Sequence, residues 1–71
     1  MAEKAIKCDF TQLAVGGLYD VHVPMGAFTR ISRCTLLSIS EEGKARVATF
    51  DNGVKVIEGV YGLWFERIHL I

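Results

Sequence analysis

Ser32-Arg33-Cys34-Thr35-Leu36-Leu37-Ser38-Ile39-Ser40, Glu41-Glu42-Gly43-Lys44, Ala45-Arg46-Val47-Ala48-Thr49-Phe50, Asp51-Asn52-Gly53 and Val54-Lys55-Val56-Ile57-Glu58 run consecutively and set the fold. Three short segments rich in β-branched residues are divided by two turn signals, one with Gly43 and one with Asn-Gly at Asn52-Gly53. The pattern predicts three consecutive antiparallel strands. Asp51 is expected to cap its own hairpin through an Asx-type bond. The adjacent Leu36-Leu37 pair breaks strict alternation, which predicts a bend or bulge in the first of these strands.

Ahead of this stretch, Leu18 to Pro24 alternates with period two, placing Tyr19, Val21 and Val23 on one side and Asp20 and His22 on the other. That is the first strand, ended by Pro24. Met25 to Ile31 reads as a loop. Asp9 with Gln12 three residues on resembles a capping box, with Phe10 and Leu13 on one face and Gly16-Gly17 closing one or two helical turns. Residues 1–8 are expected to be flexible or loosely attached. After a break at Gly59 to Gly62, Leu63 to Ile71 supplies a fifth strand, expected to close a barrel or to pair with another subunit. Tyr19 and Phe50 are assigned to the core.

Seventy-one residues hold one domain, 1–71, and a domain this small has marginal stability without further support. With 51% hydrophobic residues, self-association is the expected support. Eight basic residues balance eight acidic ones, which argues against non-specific coating of nucleic acid. The N-terminus lacks the apolar core of a signal peptide, and no run has the length of a membrane span, so a cytoplasmic location is expected. Cys8 and Cys34 have no metal-ligand spacing and are read as buried thiols, with a disulfide between them as the alternative. Neither His22 nor His69 sits in a ligand motif, and no nucleotide-binding glycine motif is present. No metal, cofactor or catalytic constellation is assigned, and the expectation is a protein that is not an enzyme.

Five short strands, a long first loop, tight later turns and a turn or 3₁₀ break before the last strand resemble the SH3-like and Sm-like small barrels over about residues 17–71. Within that span, Arg33-Cys34-Thr35-Leu36 and Val47-Ala48-Thr49-Phe50-Asp51-Asn52-Gly53 are similar to the Tudor pattern, although Tyr61, Trp64 and Phe65 lie outside the loops that carry the Tudor aromatic cage. Ile6-Lys7-Cys8-Asp9 resembles the opening of Rof-type Rho-binding antiterminators, which act through protein contacts. Val54-Lys55-Val56-Ile57, Leu63 and Glu66-Arg67-Ile68 are similar to the end of type II dihydrofolate reductases. There, Lys55 and Ile57 replace the Gln and Tyr of the essential Val-Gln-Ile-Tyr stretch, so that activity is not carried over.

The fold expected is therefore all-β: a five-stranded, SH3-like or Sm-like antiparallel barrel with a short N-terminal helical turn. Two surfaces are candidates for recognition. Tyr61, Trp64 and Phe65 cluster near Arg67, and tryptophan, tyrosine and arginine dominate interface hot spots. The loop with Phe28 and Arg30, next to Arg33, borders the binding face in the barrels that the chain resembles. The site expected is Phe28, Arg30, Arg33, Trp64 and Arg67, in a homo-oligomeric interaction module that binds a protein partner. The alternatives are an RNA- or DNA-binding barrel, which would use the aromatic residues for base stacking, and a symmetric oligomer whose central pore holds a small molecule.

Overall fold

The computed structural model describes residues 2–71. Six strands follow in chain order: β1 (Glu3–Cys8), β2 (Leu18–Pro24), β3 (Thr29–Glu42), β4 (Ala45–Phe50), β5 (Lys55–Ile57) and β6 (Trp64–Leu70). They form one antiparallel sheet in the order β1-β6-β2-β3-β4-β5. The protein is all-β, as expected, but with six strands in place of five. The sheet ends at β1 and β5 and does not close on itself through hydrogen bonds.

The additional strand lies in the segment expected to be loosely attached. Met1 falls outside the described residues, while residues 3–8 pair with β6 from Glu3↔Leu70 to Cys8↔Phe65. Its side chains are mostly exposed, so no buried period marks it in the sequence. With β2 on its other side, β6 has both edges occupied within the chain, and neither is free for the pairing with another subunit expected of it.

β3 begins at Thr29, so the expected loop from Met25 to Ile31 shortens to a turn over residues 25–28, and Arg30 and Ile31 lie in the strand. The first half of β3 pairs with β2 and the second half with β4. The register shifts between Leu36 and Ser38, which leaves Leu37 as an exposed bulge. The broken alternation at Leu36-Leu37 thus marks where one strand leaves one half-sheet for the other. Beyond it, a two-residue turn with Gly43 at φ +66° leads into β4, a conformation that glycine adopts without a Cβ clash.

In the second hairpin the Asx bond belongs to Asn52, whose Oδ1 accepts from the Val54 N–H at 3.1 Å. Asp51, expected to cap this turn, reaches instead across to β3, where its Oδ1 accepts from the Thr35 N–H at 3.0 Å. The turn residue therefore ties the hairpin to the strand beside the bulge.

Tyr19, Val21, Cys34, Leu36, Ala48, Phe50, Val56 and Phe65 fill the core. A single 3₁₀ turn at Phe10–Gln12, with the Asp9–Gln12 capping box in place, lays Phe10 and Leu13 over its end. Phe50 links the halves: its ring is 6.3 Å from Tyr19 edge-on and 6.3 Å from Phe65 in a stacked pair, within the range of favourable aromatic contact. Both cysteines are free thiols. Burial pushes the Cys34 thiol up to about 11 and raises that of Cys8. Among the described residues no helix is long and apolar enough to cross a membrane.

Candidate functional site

The five expected site residues do not form one surface. Arg33 is engaged on the outward face of the sheet, where its guanidinium donates to both carboxylate oxygens of Asp20 at 2.9 and 3.1 Å and to both of Glu3 at 2.8 and 3.2 Å. Through these bonds Asp20 is held below the ordinary carboxylate range and the guanidinium is raised further. An arginine saturated by two carboxylates is a clasp joining β1, β2 and β3. Arg67 is also occupied: its guanidinium lies 5.4 Å from the Tyr19 ring centroid and its Nη1 donates to Tyr19 Oη at 3.3 Å. The same Tyr19 hydroxyl accepts from the Ala14 N–H at 2.8 Å.

The aromatic cluster expected near Arg67 divides. Phe65 is buried, Tyr61 is fully exposed at 98%, and Trp64 is half-buried. The Trp64 indole stacks on the His22 imidazole with centroids 3.6 Å apart, and the Lys7 ammonium lies 4.8 Å from the indole centroid. His22, buried beneath this stack, is bonded through Nε2 to Glu66 Oε1 at 2.7 Å. The register places His22 opposite Trp64 and Asp20 opposite Glu66, so this arrangement follows from strand pairing.

Two clefts open beside these groups. The larger, about 460 Å³, is walled by Phe10, Ile57, Val60, Leu63, Trp64 and Phe65, with Lys7, Cys8, Asp9, Gln12 and Gly59 completing it. The second, about 320 Å³, is lined by Val23, Met25, Val54, Val56 and Leu63, with Arg30, Ser32 and Lys55. Leu63 contributes to both. Trp64 and Arg30 thus lie in neighbouring clefts, while Phe28 is exposed in the β2–β3 turn outside either lining.

Sequence reasoning missed Ile57, Val60, Leu63, Lys7 and Lys55. The signal lay in Gly59-Val60-Tyr61-Gly62-Leu63, where apolar residues interrupt a turn whose glycines suggested only a connector. Lys7, Arg30 and Lys55 line the clefts without an ion pair among the described residues, since the carboxylates bonded to basic side chains there meet His22, Arg33 and Arg46. Apolar side chains beside Arg30 and Lys55, with the Lys7 ammonium over the Trp64 ring, suit an amphipathic, acidic ligand. No group of metal-ligating side chains occurs among the described residues. Compared with family models, with curated proteins and with solved structures, the chain matches none.

Proposed function

We propose that this protein is a non-enzymatic interaction module that seats a short segment of a protein partner across Leu63, apolar side chains in the two clefts and a carboxylate against Lys7, Arg30 or Lys55. The carrying observation is the pair of clefts sharing Leu63, the larger of mixed lining and the smaller mainly apolar, bordered by Lys7, Arg30 and Lys55 with no ion pair to any of the three among the described residues. An SH3-like or Sm-like small-barrel lineage belongs to the same reading, supported by the long third strand that serves two half-sheets and bends at Leu37. Each apolar side chain buried contributes about 1.5–3 kcal/mol. Two or three such anchors, set against the cost of association, give a Kd in the micromolar range, on the order of 1–100 μM.

Trp64 is the only tryptophan, so its fluorescence reports on the larger cleft. Random peptides displayed on phage are panned against the immobilised protein, and recovered sequences are titrated as free peptides. The expected result is an enriched pattern of two or more apolar positions with Asp or Glu, a shift of Trp64 emission on binding, and loss of binding to Leu63→Glu with an unchanged circular dichroism spectrum. Peptides that bind folded Leu63→Glu as well as they bind the wild type, or a library that yields no enrichment, overturn the reading.

A further inference from the structure

We infer that two copies of this chain pair through their β1 strands, antiparallel and centred on Ala5, to give a two-fold symmetric dimer with a continuous sheet. This does not rest on the cleft reading. The two edges of the sheet differ: β5 has three residues, whereas β1 presents six. A short edge is a poor template for pairing and a longer one is a good one.

Backbone geometry limits the registers. The Ala2 carbonyl accepts from the Ile71 N–H at 2.9 Å, which makes Ala2 and Ile71 a hydrogen-bonded pair in the β1–β6 register. Such pairs alternate along an antiparallel ladder. Lys4, Ile6 and Cys8 therefore direct their backbone groups toward β6, and Glu3, Ala5 and Lys7 direct theirs outward. A second β1 must match outward residues with outward residues, which excludes every register displaced by one residue. Among those left, centring on Ala5 places Glu3 opposite Lys7 of the second copy, twice by symmetry, and Lys4 opposite Ile6. A shift one way sets Lys4 against Lys4; a shift the other way leaves Glu3 without Lys7. Opposite charges facing across strands stabilise, and like charges destabilise. The pairing also covers part of Ile6, which is 45% exposed in the single chain, with the Lys4 stem of the partner copy. A two-fold axis makes both sides of the contact identical, the commonest form of self-association.

The test is light scattering coupled to size exclusion on the full chain over about 10 μM to 1 mM, a range matched to a weak contact. The wild type is expected to rise from the mass of one chain toward two. Ala5→Pro removes an outward N–H and leaves the bonds to β6 in place, so it is expected to stay monomeric with Trp64 emission unchanged. Lys7→Glu sets two pairs of like charges face to face and is expected to weaken the dimer about tenfold or more. Lys7→Gln removes the opposite charge without adding a like one, leaves Glu3 in its bonds from Arg33, and is expected to dimerise more weakly than the wild type and more strongly than Lys7→Glu. A wild type monomeric throughout overturns the proposal, as does a dimer that survives both Ala5→Pro and Lys7→Glu or is weakened as much by Lys7→Gln as by Lys7→Glu.

Discussion

On one side of the bulge at Leu37, β4 and β5 follow β3 through two tight turns, each strand pairing with the one just before it. On the other side, β6 is inserted between β1 and β2, so that the last strand of the chain joins the first two. Among the described residues the hairpin half carries a single ion pair, Arg46 with Glu58. The inserted half carries the Glu3–Arg33–Asp20 clasp, the His22–Glu66 pair and the Trp64 stack. Short turns set the register of the first half through local geometry. In the second half the turn over residues 25–28, closed by a bond that the Met25 N–H donates to the Phe28 carbonyl at 2.8 Å, sets β2 against β3, but nothing local fixes the register of β6, and cross-strand side chains supply that specification instead.

The strongest way to break this contrast is to remove the residue on which the inserted half depends. Phe65 is buried on β6 between Phe10 and Phe50, with ring centroids 6.4 and 6.3 Å away. Phe65→Ala is expected to cost about 3–5 kcal/mol, a large share of the roughly 5–15 kcal/mol of a small domain. Val56→Ala, equally buried but on the short β5, is expected to cost about 2 kcal/mol. Urea unfolding followed by Trp64 fluorescence measures both, and a loss below about 2 kcal/mol for Phe65→Ala would refute the dependence of the inserted half on that ring.

A smaller effect is expected where the two halves meet. The Leu36 N–H donates to the Gly17 carbonyl at 3.0 Å, and a Cβ at Gly17 would lie 2.7 Å from Tyr19 Cε2 and 3.0 Å from Arg67 Cζ. Gly17 is required by the ring that covers it. Gly17→Ala displaces Tyr19 from its bond to Ala14 and is expected to cost about 1–3 kcal/mol in the same urea experiment. Gly16→Ala meets no neighbour but occupies φ +89°, so its cost comes from the backbone alone.

The contrast also explains what was legible in the sequence. The hairpin half was readable because the Gly43 and Asn52-Gly53 turns, the strands between them and the Leu36-Leu37 break are all local signals. The Asp9–Gln12 box was legible for the same reason. β1 was not, since its side chains are exposed and it is a strand only because β6 runs beside it. Of the expected site residues, Trp64 and Arg30 line the two clefts, a large aromatic and a cation near turns. Arg33 and Arg67 are engaged by partners that no local signal reveals: Glu3 lies 30 residues from Arg33, and Tyr19 lies 48 from Arg67. A free arginine and a committed one look alike in sequence.

Acid sharpens the comparison with the least perturbation, because each half has one carboxylate held below its ordinary value by an arginine. Asp20 is lowered by its bonds from Arg33 and Glu58 by its bonds from Arg46. With the folded value below the unfolded one, the ionised carboxylate favours the folded state. That contribution is present above the ordinary values of 3.8 and 4.5 and is lost as pH falls through the lowered folded values. The urea midpoint is therefore expected to hold from neutral pH to about 5 and to fall below it. Asp20→Asn and Glu58→Gln each remove one titrating group and flatten part of that fall. The Asp20 side chain is 16% exposed against 33% for Glu58, so solvent screens the Glu58 pair more, and Asp20→Asn is expected to flatten the curve more. A curve flattened more by Glu58→Gln would place the acid-sensitive contact in the hairpin half and refute its assignment to the clasp that joins β1, β2 and β3.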